Sequence, residues 1–468
     1  MMQVADAVTA PPLAAYDPHY DPLISEGPGH NRDYAPTYWA ATAGVVPETD
    51  GPITRDTDVD VAIVGSGYTG LACAIFLAQE FGIKATVLEA NRVAWGCSTR
   101  NGGQAQNAAG RLSRSQWIAR WGRDIARRMH AEVQEGFETF EELIRSGGIE
   151  CEPQRGGHLY IAHRQRNFEK IVAESKIQNE IFGYRTRTVP AEELRRKFVD
   201  DAEAVGAVHE PLGTGVHPAK LAFGYLRMAR ALGARVHPGT PVLGIQPRHG
   251  GYDLRTPGGT VRARAVGIAT GAYTAASLTP LLRGRQMPIL SNSIVTRPLT
   301  SDEIESTRFR TTQVITDTRT LRFYYRRLPD NRVQIGSRSA ITGADATHER
   351  HLQLLIDGLH RKFPSLRGID IDYSWWGWVD VSHDMMPRIF RPDPQQQLFY
   401  ALGYGGNGVS YSAQAGRRMA EMIAGKTLKA HDLPIFTSPL PTHPLAPFRR
   451  MGQRMLYRWY YMRDEAAG

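Results

Sequence analysis

Val59-Asp60-Val61-Ala62-Ile63-Val64-Gly65-Ser66-Gly67-Tyr68-Thr69-Gly70 is the stretch on which the fold turns. A short apolar run ends in glycine, as a strand buried in a parallel sheet does. Residues 71–81 then repeat apolar side chains at helical spacing, and Lys84-Ala85-Thr86-Val87-Leu88-Glu89 reads as a second strand. Strand, turn, helix and strand within about thirty residues make a βαβ unit. The glycines have separate tasks: Gly65 permits the tight turn, Gly67 lets backbone approach a pyrophosphate, and Gly70 lets helix and strand pack closely. Tyr68 and Thr69 open the helix, whose N-terminus offers amides and a positive dipole end to phosphate. Glu89 closes the second strand roughly 20 residues on, where a carboxylate can accept both ribose hydroxyls. Ala90 and Arg92 follow it at the same edge.

The βαβ unit fits either NAD or FAD, and the rest of the chain decides between them. Ser98-Thr99-Arg100-Asn101-Gly102-Gly103-Gln104 is a loop with two glycines and an arginine, able to run under a pyrophosphate and beside an isoalloxazine. Thr270-Gly271 closes a later strand, and Val242 is placed with the nucleotide as well. Gly403-Tyr404-Gly405-Gly406-Asn407-Gly408, followed by Val409, joins a strand to a helix near the other end of the chain. Such a helix start can stabilise negative charge that builds on a flavin on reduction. A nicotinamide needs no second glycine-rich helix start, so FAD is the expected cofactor.

With 468 residues the chain is too long for one core, and 42% hydrophobic with 22% charged residues is ordinary globular composition. A net charge of +9 favours anionic ligands, but no basic run with interleaved aromatics points to nucleic acid. Cys73, Cys97 and Cys151 are too few and too widely spaced for a disulfide framework, and no metal site is expected. A cytoplasmic protein without signal peptide or membrane span is expected.

The pattern predicts an α/β protein, α+β in its second part. A Rossmann-like FAD-binding domain is built from 56–110, 205–285 and 370–430. A sheet-rich substrate domain, 111–204 and 286–369, is inserted between these segments. Residues 1–55 read as an extended arm on the surface, and 431–468 as a tail ending in a basic, aromatic helix around 455–463. Helices are predicted over 115–146, 192–198, 217–232, 348–363 and 409–423. Strands are predicted over 236–245, 252–256, 261–269, 320–327, 332–337 and 398–402.

Several stretches together resemble one superfamily. They are Tyr38-Trp39-Ala40-Ala41-Thr42-Ala43, the turn 64–71, Arg100-Asn101-Gly102-Gly103-Gln104, Val216-His217-Pro218, Tyr324-Tyr325-Arg326, Phe363-Pro364 and the glycine loop 403–408. In this order, from about 38 to 420, the chain resembles the FAD-dependent amine and amino-acid oxidoreductases of the D-amino-acid oxidase and sarcosine oxidase superfamily. Within it, the nearest likeness is to the gamma-glutamylputrescine oxidoreductases. The resemblance implies hydride transfer from a carbon beside an amine nitrogen to flavin N5, and an imine that hydrolyses to an aldehyde plus amine or ammonia. A gamma-glutamyl polyamine or related amine is the implied substrate. An N-methyl or D-amino acid is the alternative, and a non-catalytic FAD-binding protein the remote one.

Two departures from sarcosine oxidases stand out. The region that tethers their flavin through cysteine reads Trp375-Trp376-Gly377-Trp378-Val379-Asp380 here, so FAD is expected to be non-covalent. Where those oxidases place a lysine near flavin N5, Gln334 stands, which leaves oxygen or another carrier as electron acceptor. Candidates to line flavin and substrate are Tyr325 or Tyr324, Trp378 or Trp376, Gln334, His217, and Arg326 or Arg322, the last pair as a carboxylate anchor. The tail helix is read as packing on the chain's own surface or at a homodimer contact, with a membrane or redox-partner contact as the alternative.

Overall fold

In a computed structural model, which describes residues 12–443 and 445–465, the strand Thr57–Val64 stands inside an eight-stranded sheet. It runs parallel to Gly259–Ile268 on one side and to Thr86–Leu88 on the other. Thr86–Leu88 pairs in parallel with Arg235–His237, and the end of Gly259–Ile268 pairs in parallel with Leu398–Leu402. The first half of Gly259–Ile268 carries an antiparallel ribbon, Gly244–Arg248 and Gly251–Thr256. Burial along Thr57–Val64 alternates at first and is then continuous for its last four residues. Alternation marks one wet face, and continuity marks cover on both faces. The chain leaves the central strand with neighbours lying to both sides, so a crevice opens at the carboxyl ends of these strands.

Helices Tyr68–Phe81, Gly408–Ile423 and Arg114–Ser146 pack in one core with this sheet. Small buried residues such as Ala72, Cys73, Ala413 and Ala420 allow the helices to approach closely. Arg114–Ser146 opens with a capping box at Ser113 and kinks at Gly122 (φ 81°, ψ 166°). It is bound to Gly408–Ile423 by a buried pair, Arg418 Nη2 to Glu132 Oε2 at 2.8 Å.

A second eight-stranded sheet runs Ile371–Val379, Ile289–Thr296, Val333–Ser337, Tyr324–Arg327, Val314–Asp317, His158–Ala162, Gly206–Glu210 and Arg187–Pro190. Only Val314–Asp317 with His158–Ala162 is parallel; every other pair is antiparallel. One face carries an apolar core with helix Glu349–Lys362, including Phe309, Tyr325 and Phe363. A small third sheet joins Gln104–Gln106, Gly213–Gly215 and Gln154–Arg155.

Several expectations need correction. The strand predicted over 236–245 is two strands, because Pro238-Gly239-Thr240-Pro241 interrupts the ladder. The strand predicted over 320–327 starts at Tyr324, since Thr320 is drawn away by Asp464 (N to Oδ2, 2.6 Å). Helix Gln165–Phe182 and strand His158–Ala162 went unread. Three segments also change sides. Gly206–Glu210 and Ile371–Val379, assigned to the nucleotide domain, are strands of the second sheet, and Arg114–Ser146, assigned to the substrate domain, packs in the first core. Strand pairing and helix packing decide membership here, and neither shows in local periodicity.

The arm runs extended over the surface, with Leu13, Ile24 and Val45 exposed, and is pinned at intervals. Residues 1–11 are outside the described residues, but Tyr20, Asp21, Tyr38 and Trp39 are buried. Backbone carbonyls of Pro18 and Tyr20 accept the indole N–H of Trp376 and Trp378 (3.1 and 2.9 Å). Trp39 donates to the Asn101 carbonyl (2.8 Å). Residue 444 and residues 466–468 of the tail are likewise outside the described residues; helix Arg449–Glu465 occupies half of the remainder.

Candidate active site

One elongated cavity starts at the carboxyl ends of the first sheet and ends against the face of the second. Gly65, Gly67, Tyr68 and Thr69 line its first part. Gly65 has φ +103°, and a β-carbon there would lie 2.6 Å from the Ala269 carbonyl oxygen. Gly70 does not reach the cavity. A β-carbon on it would sit 1.9 Å from the Gly65 carbonyl oxygen, so its task is the close packing that holds the turn. Helix Tyr68–Phe81 starts at Gly67 with no cap from its own N-cap side chain; Ser98 Oγ accepts the Tyr68 N–H (3.1 Å), and the Thr69 amide is left for a ligand.

Glu89, Ala90, Val242, Thr270 and Gly271 line the same end. The Glu89 carboxylate accepts the Ser66 N–H (3.1 Å), the Ser66 hydroxyl (2.7 Å) and the Asn91 N–H (3.2 Å). Burial pushes this carboxyl above its usual range, and the Ser66 bonds oppose that. Arg92 turns away from the cavity: it pairs with Asp33 at 2.8 Å and lies over the Tyr34 ring at 4.6 Å.

In the middle, Ser98, Arg100, Asn101, Gly102 and Gln104 line the wall, while Thr99 and Gly103 lie behind it. Thr99 donates to the Ala94 carbonyl (3.1 Å), and Gly103 donates its N–H to Asn101 Oδ1 (2.8 Å). The Arg100 guanidinium donates to the Trp95 carbonyl (3.1 and 2.9 Å) among the rings of Tyr16, Trp95 and Tyr273. Gln104 Oε1 is buried without a partner. From the far glycine loop, Tyr404, Gly406, Asn407, Gly408 and Val409 line the cavity. Gly403 and Gly405 lie behind, donating their amides to Asp380 Oδ2 (2.5 Å) and to the Asp380 carbonyl (2.7 Å). Helix Gly408–Ile423 also begins without a cap from its N-cap side chain, and the Tyr404 hydroxyl meets Thr69 Oγ1 at 2.8 Å, joining the two glycine loops.

The second sheet supplies the end wall. The Tyr324 hydroxyl is 3.0 Å from Ser291 Oγ and 2.9 Å from Ser293 Oγ. Thr316 Oγ1 meets His158 Nε2 at 2.8 Å, and His158 Nδ1 meets Glu210 Oε2 at 2.9 Å. Burial raises the Glu210 carboxyl, but the hydrogen bond and charge of His158 bring it below its usual range. Arg111, Arg322 and Arg338 complete this end. Burial, then the charges of Arg338 and Arg322, push the Arg111 guanidinium well below its usual range.

The sequence candidates for this wall are redistributed by the strand alternation. Tyr324 faces the cavity, so Tyr325 points into the opposite core, where its hydroxyl donates to Asp201. Trp378 and Trp376 bind the arm, and Gly377 and Val379 line the cavity instead. Gln334 is fully buried beneath the wall, its Nε2 donating to Ser293 Oγ at 3.3 Å. Arg326 is no carboxylate anchor: buried, it donates to Gln154 Oε1 (2.7 Å) and to the Val216 carbonyl (2.6 Å). His217 caps helix Pro218–Ala231, accepting the Lys220 N–H (3.2 Å), and meets Thr42 Oγ1 at 3.0 Å. The sequence reading missed Arg111, Arg338, Ser291, Thr316, Tyr273 and Asp380. Arg111 and Asp380 adjoin motifs that were read; the others carry no local signal.

Two helix starts without a cap from their own N-cap side chains, a glycine turn that no side chain can enter and an unpartnered amide oxygen converge on one cavity. This is the cradle of a dinucleotide-dependent oxidoreductase. The DAO family model, described as FAD dependent oxidoreductase, matches residues 60–422. The chain is 30% identical over 439 residues to gamma-glutamylputrescine oxidoreductase of Escherichia coli, covering 92% of this chain and 99% of that one. It is 28% identical over 378 residues to a probable oxidoreductase of Haemophilus influenzae, covering 80% and 85%. Glycine oxidase from Geobacillus kaustophilus shares the fold, with a TM-score of 0.70 at 22% identity over 83% of this chain and 99% of that one. The chain belongs to the DAO family of FAD-dependent oxidoreductases, and FAD is its cofactor.

Proposed function

We propose that this protein oxidises a C–N bond of a small, carboxylate-bearing amine. The observation that carries this reading is a single cavity with a dinucleotide cradle at one end and Tyr324, Thr316 and three arginines at the other. Gly65, Gly67 and Thr69 would hold the pyrophosphate, Glu89 the ribose, and the loops 98–104 and 404–409 the flavin, without a covalent bond. Bound there, FAD supplies a two-electron acceptor for the C–H beside the nitrogen, and water hydrolyses the imine product to a carbonyl compound and an amine or ammonia.

The chain's own residues perform binding, orientation and proton handling. Arginine pairs with carboxylate bidentately and so fixes the substrate's direction. Tyr324 adds a hydroxyl held by two serines. The amine must be neutral to react, and neighbouring guanidinium charge favours its neutral form. Thr316 Oγ1, backed by His158 Nε2, is a place for the departing proton.

The 30% relative supports a gamma-glutamyl amine as substrate. The arginines favour the second reading, an N-substituted amino acid, because a gamma-glutamyl polyamine brings further positive charge to a cationic wall. Anaerobic mixing of the yellow protein with gamma-glutamylputrescine, free polyamines, N-methyl amino acids and D-amino acids decides between them. Loss of the oxidised-flavin absorbance with one class names it, and readmitting air shows whether oxygen accepts the electrons. A flavin that no amine reduces would sink the proposal.

A further inference from the structure

The side chains of Arg111, Arg322 and Arg338 have no hydrogen-bond or ion-pair partner among the described residues, although all three line the same end of the cavity. Arg338 Nη2 and Arg111 Nη1 both lie within 4.0 Å of the point where a β-carbon on Gly406 would stand. The Arg322 guanidinium lies 5.7 Å over the Tyr160 ring, and its Nε is buried without a partner. Tyr457, from helix Arg449–Glu465, adds a buried hydroxyl that is also unpartnered, and Arg338 and Arg111 act on its titration. Burial, then the charges of Arg338 and Arg322, lower the Arg111 guanidinium, burial with the charge of Arg322 lowers that of Arg338, and no carboxylate offsets either. The two cavity carboxylates are engaged elsewhere, Glu89 by Ser66 and Asp380 by Gly403 and Gln286.

The buried arginines elsewhere all have hydrogen-bond acceptors, neutral ones for Arg100, Arg114 and Arg326 and carboxylates for others. Arg418 is matched by Glu132, Glu135 and Glu421, and Arg319 by Asp317, Glu203 and Glu465. Arg111, Arg322 and Arg338 are part-buried and lack even a neutral acceptor, and charge drawn out of water without compensation is costly, so three unmatched guanidiniums at one wall indicate anions supplied from outside. One carboxylate engages one guanidinium bidentately and leaves two uncompensated. The pyrophosphate is not the missing anion on this reading, because the phosphate turn at Gly65 and Gly67 belongs to the other sheet, whereas Arg322 and Arg338 flank strands of the second.

We propose that Arg111, Arg322 and Arg338 form a receptor for two anionic groups, so that the substrate is an amine carrying two carboxylates or equivalent anions. This rests on the cavity end being the substrate site of the oxidation proposed above. A singly charged amino acid would bind without satisfying the wall, and a free polyamine would be repelled by it.

The test uses the FAD-loaded protein and non-oxidisable probes. Glutarate and butyrate, with two carboxylates and one, are titrated while the visible flavin spectrum reports binding. Glutarate is expected to bind about 10-fold or more tightly than butyrate. Arg322→Gln and Arg338→Gln are each expected to weaken glutarate about 10- to 100-fold, with butyrate much less affected and FAD content unchanged. Arg338→Lys, which keeps charge but not the fork, should recover part of the loss. Equal binding of the two probes to the unaltered protein overturns the receptor, as does loss of FAD from the glutamine variants in place of loss of glutarate. Flavin reduction by iminodiacetate, sarcosine and putrescine separates the two ideas. If sarcosine or putrescine reduces the flavin and glutarate shows no preference, oxidation stands and the receptor falls. If glutarate is preferred and no amine reduces the flavin, the receptor stands and oxidation falls.

Discussion

Replacing Asp380 by asparagine should stabilise the protein at neutral pH and do little in acid. Asp380 ends the strand Ile371–Val379 and binds the far glycine loop, through its carboxylate to the Gly403 N–H and through its carbonyl to Gly405. Gln286 Nε2 donates to the other carboxylate oxygen at 3.0 Å. Burial outweighs these bonds and pushes the carboxyl from 3.8 up to about 6. A carboxyl raised on folding contributes stability that is fully present below its unfolded pKa and lost as pH rises through its folded pKa. The window is therefore pH 3.8 to about 6. At about 1.4 kcal/mol per unit, the ionised carboxylate costs about 3 kcal/mol above that window. Asparagine keeps an acceptor for Gly403 without the charge, while its amide N–H2, like the proton of the neutral carboxyl, faces Gln286 only if that side chain turns its Oε1 inward and gives up the Gly271 carbonyl. Urea unfolding at fixed excess FAD, from pH 4 to pH 8, should show Asp380→Asn more stable by up to about 3 kcal/mol at the alkaline end. The gap should shrink to less than about 1 kcal/mol near pH 4. A gap independent of pH, or of opposite sign at pH 8, would refute the argument that an uncompensated charge sits behind the glycine loop.

Four further outcomes follow from the geometry. Gly70→Ala places a β-carbon against the Gly65 carbonyl and should give folded protein without FAD; a normal flavin-to-protein ratio would contradict it. Tyr324→Phe removes the hydroxyl held by Ser291 and Ser293, so kcat/KM should fall about tenfold at unchanged FAD content, and unchanged kinetics would free Tyr324 of any substrate role. Burial pushes the Cys97 thiol up to about 11, so it is protonated at neutral pH, and acid precipitation should release all the flavin; flavin retained in the pellet would reveal a covalent link. Arg418→Met strands the buried Glu132 carboxylate at a cost of about 3–5 kcal/mol, read by thermal denaturation, and adding Glu132→Met should restore most of it.

The nucleotide half of this site is written in local sequence, and the end wall is not. Gly65, Gly67 and Gly70 fall between a buried strand and a helix, and that order suffices to place a phosphate turn. Tyr324 and Tyr325 show the limit. Alternation says that they face opposite ways, but the choice between them is set by pairing with Val333–Ser337 and by the helix Glu349–Lys362 on the far face. Arg326 shares the strand with Tyr324, yet it is claimed by Val216 and Gln154 from distant segments. Arg111 and Arg338 become neighbours only when the far glycine loop folds between them. Separation along the chain, rather than weak propensity, hid these residues.

The pinned arm bears on the order in which the molecule is made. Tyr20 is held by Trp378, and Asp21 Oδ1 receives Arg450 Nη2 at 2.8 Å, so residues near the beginning of the chain are closed over by residues near its end. A growing chain on the ribosome has made the arm before any of these partners exists. Asn91 and Trp95 can hold the arm early, through Arg32 N–H (2.9 Å) and the Asp33 carbonyl (2.7 Å), but the closure over Tyr20 and Asp21 waits until Trp378 and Arg450 have been made. Chains stalled before residue 378 should leave the segment around Tyr20 and Asp21 open to protease; early protection of that segment would show that it docks without its later partners.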